Sequence, residues 1–288
     1  MCALGELKKV GEMTYDVLGA APLDYLPCRY GASKLLFRGP RRDLSKPYLA
    51  FVGATETYGK FIDRPFPALV ESAIGQNCAN FGQINAGIDA FSTDPFVMNA
   101  ATDAQIAVVQ VMGAQNMTNR FYAVHPRRND RFISTSPLLQ TIYREVDFAD
   151  FHFNKHMLKR LMEVSPERFR TVRDELQQAW MARMRLMLKR INGKSILLWF
   201  SDHAPEENGD DPEGIGRDPL FVTRAMMDEV TPLATQVVEV VASKAAIAQG
   251  TQNMVFDEMD RQVASELLGP MAHQEAADAL VEVIQTMR

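Results

Sequence analysis

YLAFVGATETYG, residues 48–59, runs from a short apolar segment through a small-residue turn into polar side chains. Tyr48 to Val52 have the length and composition of a strand buried on both faces, as in a parallel sheet. Gly53 and Gly59 let the backbone turn tightly after it, which delivers Thr55, Glu56, Thr57 and Tyr58 to the carboxyl edge of that sheet. Open α/β folds place ligands and reactive groups at this edge. A glycine-lined connection without chemistry fits the same residues, since position in a fold does not fix function.

Working outward, four more runs rich in Val, Ile, Leu or Phe read as strands: 77–82, 105–112, 195–201 and 236–241. Helices are expected between them at about 65–75, 91–101, 153–163, 166–192 and 218–231, and a last one over 272–287. Within 166–192, Phe169, Val172, Leu176, Trp180, Met184, Met187 and Ile191 recur at three- and four-residue steps and form one apolar stripe, and Ser165 before Pro166 supplies an N-cap. Strands alternating with helical crossovers predict an α/β fold, a three-layer α/β/α sandwich around a five-stranded, mostly parallel sheet. Residues 1–47 read as an N-terminal extension packed on the core. Residues 48–288 read as one α/β domain with a helical insertion at about 117–192 acting as a lid.

Composition sets the outer limits. A chain of 288 residues with 47% hydrophobic content can bury a full core, and a net charge of −5 argues against a general nucleic-acid binder while leaving room for a local basic pocket. The start, MCALGELKKVGEM, lacks a signal-like apolar core and no run is long enough for a transmembrane segment, so a soluble, cytoplasmic protein is expected. A homo-oligomer is compatible with the sequence. Cys2, Cys28 and Cys78 form neither a zinc pattern nor a disulfide framework; Cys28 beside Arg29 is the one considered as a reactive thiol. His152 and His156 near Asp147 and Asp150, and Asp210 and Asp211 in the acidic 202–219 loop, are candidate metal ligands; neither set is complete, and no metal or cofactor is expected.

The loops after the first three strands carry polar groups. NFGQINAGIDAF offers Asn85 with Gly82 and Gly87, VMGAQNMTN offers Gln115 and Asn116, and GPMAHQEAADAL places His273 at the entrance of the last helix. Brought to one sheet edge, these segments supply a hydroxyl, amide donors for an oxyanion and an imidazole base.

In order and spacing these blocks resemble the SGNH or GDSL-type hydrolases, three-layer α/β esterases and acyl-transfer enzymes. GATETYG is similar to that family's GDSxTxG block, NFGQINAG to NxGxxGxG, GAQN to GxND, and PMAHQEAADAL to DxxHPN with the helix that follows. TETYG, NAG, GAQN and HPRRNDRF also resemble the signatures of a smaller, uncharacterised bacterial family. The resemblance covers roughly 48–120 and 195–288. It puts Thr55 in the place of the nucleophilic serine, Asn85 at the oxyanion glycine, Gln115 and Asn116 at the Asn-Asp pair, and Pro270 where the triad aspartate stands, leaving His273 without its carboxylate. Asp202, just after the fourth strand, is a candidate replacement for that carboxylate, and a loop-cap pair with His203 is the alternative.

The implied reaction is that of a divergent esterase or acyltransferase on a small or lipid-like anionic substrate. Thr55 attacks, His273 moves the proton, and amides near Thr55 and Asn85, with Gln115 or Asn116, hold the oxyanion. Glu56, Tyr58 and Gly87 are expected at the substrate, and Glu56 is the next candidate for chemistry. In NRFYAVHPRRNDRF, Arg120, His125, Arg127, Arg128 and Arg131 are interleaved with aromatic residues, a pattern suited to clamping phosphate, sulfate or carboxylate. Lys34 lies in a second basic segment. Two alternatives stay open: sulfuryl or phosphoryl transfer using the arginine loop, and a noncatalytic ligand-binding protein.

Overall fold

The computed structural model describes residues 23–207 and 215–288. Its seven strands are β1 (Tyr48–Val52), β2 (Asn77–Asn80), β3 (Ile106–Gln110), β4 (Tyr122–His125), β5 (Arg128–Thr135), β6 (Ser195–Ser201) and β7 (Gln236–Val241). Five of them form one sheet in the order β2-β1-β3-β6-β7, with every neighbouring pair parallel. The α/β class and the sheet read from the sequence are those of the structure.

Strand periodicity explains the layers. Ala50, Val52, Ala107, Val109, Leu197 and Trp199 point into a core shared with the long helix Pro166–Ile191. Their alternates Leu49, Phe51, Ile106, Val108, Ile196, Leu198 and Phe200 point into a second core, closed by the helices Phe66–Ile74 and Pro270–Met287. The whole predicted stripe of the long helix is buried, and Ser165 caps it by accepting from Arg168 N–H.

The differences from the sequence reading have local causes. The helix expected at 91–101 is two, Ile88–Ser92 and Pro95–Asp103, because Asp94 and Pro95 restart the backbone with a fresh N-cap. The helix expected over 218–231 begins at Arg224, where Thr223 caps it. The basic stretch read as a loop contains the antiparallel hairpin β4–β5, whose bulges disturb the alternation that would have revealed it. The acidic residues Asp210 and Asp211, like Cys2, lie outside the described residues.

The described part of the N-terminal extension packs Tyr30, Leu35 and Phe37 into the first core. It also braces the loop after β1: buried Arg38 donates to the carbonyls of Tyr58 (3.2 Å), Ile62 (2.7 Å) and Asp63 (2.8 Å). No helix among the described residues is long and apolar enough to cross a membrane.

Candidate active site

The strand order reverses at β1, whose neighbours are β2 on one side and β3 on the other. Loops leaving β1 and β3 therefore diverge at their carboxyl ends and leave a crevice, the usual ligand position in an open parallel sheet. A cleft of about 440 Å³ opens there. Thr55, Glu56, Asn85, Gln115 and Asn116, all singled out in the sequence, line it.

Thr55 and Asn85 are locked together. Asn85 N–H donates to Thr55 Oγ1 at 2.9 Å, and the hydroxyl donates to Asn85 Oδ1 at 3.3 Å. Asn85 holds a left-handed φ of 55°, a conformation asparagine tolerates better than most residues. Asn116 Nδ2 donates to the Asn85 carbonyl at 2.9 Å, and Asn116 Oδ1 accepts from Asn154 Nδ2 at 3.0 Å. Gln115 Nε2 donates to Asp218 Oδ1 at 3.1 Å, while its buried Oε1 has no partner among the described residues.

Glu56 projects from the first turn after β1 and is held by Gln110, the polar residue that ends the otherwise apolar β3. Gln110 Nε2 donates to Glu56 Oε2 at 2.8 Å. Gln110 Oε1 in turn accepts from Ala54 N–H (3.0 Å), Thr57 N–H (3.2 Å) and Thr57 Oγ1 (2.5 Å). Part of Glu56 reaches the cleft, but protein surrounds its carboxyl, and this desolvation raises its pKa. The Gln110 bond opposes the rise and the negative Asp218 adds to it.

His273 is placed elsewhere. It is 1% exposed, its Nδ1 accepts from Phe66 N–H at 3.2 Å, and its ring stacks on Phe66 and meets the edge of Phe200. Burial pushes its pKa down to about 3, with the positive Arg38 adding to the effect. The first turn of helix Pro270–Met287 turns His273 into the second core. Val263, Glu266 and Leu267, from the segment before that helix, line the cleft instead. Asp202 does not orient His273 either: its Oδ1 lies 2.6 Å from Nδ1 of the neighbouring His203.

Four further sets of residues singled out in the sequence lie apart from the cleft lining. Gly87 N–H is committed to Asn129 Oδ1 at 3.0 Å, and a Cβ on Gly87 would stand 1.9 Å from the Asn116 carbonyl oxygen. Its role is close packing beneath the cleft. Arg120 pairs with Glu175 and lines neither the cleft nor the groove beside it. Tyr58, His125, Arg127, Arg128 and Arg131 line that adjoining groove and not the cleft. Burial raises the Cys28 pKa, the opposite of what a reactive thiol needs.

Sequence reasoning missed Gln110, Asp130, Asp218 and Glu266. A glutamine closing the apolar run IAVVQ was a readable signal for the first. The acids come from distant segments and carried none. With Glu56 they give the cleft four carboxylates, against Lys155 and His156 among its bases. Among the described residues no group of His, Cys, Asp or Glu is arranged to hold a metal ion.

The profile of a family described as a domain of unknown function (DUF6473) matches residues 13–288. No curated protein matches the sequence. Among solved structures, the chain is similar to an acetyl xylan esterase from the rumen bacterium Butyrivibrio proteoclasticus: TM-score 0.41, 11% identity, over 88% of this chain and 66% of that one. It is likewise similar to a family two carbohydrate esterase from Clostridium thermocellum: TM-score 0.44, 10% identity, over 88% and 67%. A lipase from a goat rumen metagenome gives TM-score 0.38 and 13% identity over 84% of this chain and 97% of that one. The chain spans about two thirds of the length of the two esterases.

Proposed function

Because the chain belongs to the DUF6473 family, whose description as a domain of unknown function prescribes no reaction, we propose from its cleft that it is an ester-cleaving enzyme, a hydrolase or acyltransferase, in which Glu56 moves the proton. The observation that carries this reading is the Glu56 carboxyl, held by Gln110 at 2.8 Å in the wall of the cleft and with a raised pKa. A carboxyl with a raised pKa is a stronger base than a free carboxylate and, once protonated, a proton donor to the leaving group. Glu56 takes the proton of the attacking hydroxyl, from water or from an acceptor alcohol, as the new C–O bond forms. It returns that proton to the leaving alkoxide as the old C–O bond breaks. Gln115 and Asn116 each carry a second amide N–H beyond the one already bonded, and these are the donors for the oxyanion. Four carboxylates disfavour an anion here, so the reacting part of the substrate is uncharged.

One observation favours a second reading, a noncatalytic binding site. Both hydrogen bonds of the Thr55 hydroxyl are closed by Asn85, which leaves it poorly prepared to attack. A panel of neutral p-nitrophenyl esters, with and without an acceptor alcohol, separates the two. Turnover by the wild type that falls by orders of magnitude in Glu56→Gln supports the enzyme. Turnover unchanged in Glu56→Gln rejects Glu56 as the proton carrier, and no turnover with saturable ester binding leaves the binder.

A further inference from the structure

The groove beside the cleft gathers cations that form no ion pair among the described residues, with the single carboxylate of Asp130 also in its lining. Lys34 from the N-terminal segment joins Arg127, Arg128 and Arg131 from the β4–β5 hairpin, with the His125 ring beside them, around an open space of about 690 Å³. Several arginines elsewhere are matched with carboxylates: Arg120 with Glu175, Arg168 with Glu145, Arg183 with Asp89 and Arg224 with Glu239. Lys34, Arg127 and Arg128 make no ion pair among the described residues. Arg131 lies 4.0 Å above the Phe153 ring, a contact that leaves its N–H edge available. In a chain with more acids than bases, 36 against 31, this concentration of unpaired positive charge is a local cost that a bound anion offsets.

The hairpin turn is built to hold these groups. His125 Nδ1 accepts from the N–H of both Arg127 and Arg128 at 3.2 Å, which fixes the turn carrying the two guanidinium groups and leaves the ring proton on Nε2. Three guanidinium groups, an ammonium and an imidazole N–H offer more donors than the two oxygens of a carboxylate accept. The three terminal oxygens of a phosphate or sulfate monoester suit them better. Asn85 and Asp130 line both the groove and the cleft, so one molecule can span the two.

We propose that this groove seats the tetrahedral oxyanion of a phosphate or sulfate monoester, whose uncharged remainder extends past Asn85 into the cleft. The position of the remainder rests on the ester-cleaving reading above; the anion seat does not.

Titration calorimetry of the full chain with phenyl phosphate, phenyl sulfate and benzoate tests it. Saturable binding of phenyl phosphate or phenyl sulfate, weaker for benzoate and falling as salt rises, is expected, and the tighter of the two esters identifies the anion. Arg127→Ala with Arg128→Ala should weaken that binding roughly tenfold or more at an unchanged melting temperature, since both side chains are exposed. Lys34→Ala, on a separate segment, should weaken it in the same direction. Equal binding of benzoate, or affinity unchanged in the double variant, overturns the proposal. Glu56→Gln separates the two readings. Anion binding retained there while the wild type turns over no ester removes the cleft reading alone. Ester turnover without anion binding removes the groove alone.

Discussion

Gln110 and Glu56 form the hinge of the candidate site: one side-chain amide, at the carboxyl end of β3, donates to the Glu56 carboxylate at 2.8 Å and accepts from three groups of the turn after β1. The amide thereby ties together the two loops that the strand reversal drives apart. It also sets the electrostatics, because it opposes the desolvation that raises the Glu56 pKa. Removing it in Gln110→Ala leaves buried donors unpaired, and a loss of about 1–3 kcal/mol in urea unfolding is expected.

Glu56→Gln should raise thermal stability at neutral pH while removing activity. The folded-state pKa of Glu56 is raised, so ionising it costs stability as pH climbs through that value, and the amide escapes this cost. The gain should shrink as pH falls toward the ordinary carboxylate range, where the wild-type side chain is protonated in both states. Melting curves from pH 4 to 8 check the sign; a variant less stable at neutral pH contradicts it.

Thr55 is tested by shape. Thr55→Val keeps the β-branched outline and removes the acceptor for Asn85 N–H, so a loss of about 1–3 kcal/mol in stability is expected. Thr55→Ser retains the hydroxyl and should keep both stability and ester turnover. Full turnover in Thr55→Val would assign this hydroxyl to holding the loop alone.

His273 should behave as a core residue. His273→Ala opens a cavity between Phe66 and Phe200 and leaves Phe66 N–H without its acceptor, an expected loss of about 2–4 kcal/mol. The depressed pKa gives the wild type stability that is full above about pH 6.5, the ordinary histidine value. That stability is lost as pH falls toward about 3, where the folded state also takes the proton. Denaturant midpoints should therefore draw together between wild type and variant as pH is lowered. The pH–rate profile should carry no ionisation from this ring.

Gly87→Ala probes the floor of the cleft. Its Cβ would meet the Asn116 carbonyl oxygen at 1.9 Å, so backbone must shift and Asn116 with it. Weaker ester turnover and a lower melting temperature should appear together; a fully active, equally stable variant would mean the floor yields without moving Asn116.

The sequence by itself determined the sheet and the loops that line the cleft. Apolar runs such as Tyr48–Val52 and Ser195–Ser201 can be buried on both faces only inside a parallel sheet with helices on each side, and the stripe from Phe169 to Ile191 has one period and one solution. Thr55, Glu56, Asn85, Gln115 and Asn116 follow from that, because the loops at the carboxyl ends of neighbouring parallel strands open onto one edge of the sheet, where the crevice lies. Tertiary structure alone decided the rest. Spacing could not tell that the first turn of the last helix rotates His273 into the core between two phenylalanines, since helix rotation is set by packing against Phe66 and Phe200. Nor could it tell that Asp218 and Glu266 would reach the cleft while Arg127 and Arg128 would not, for residues remote in the chain become neighbours only when the layers close. Glu56 illustrates the division: its place at the strand end is local, but its raised pKa is a property of the protein packed around it.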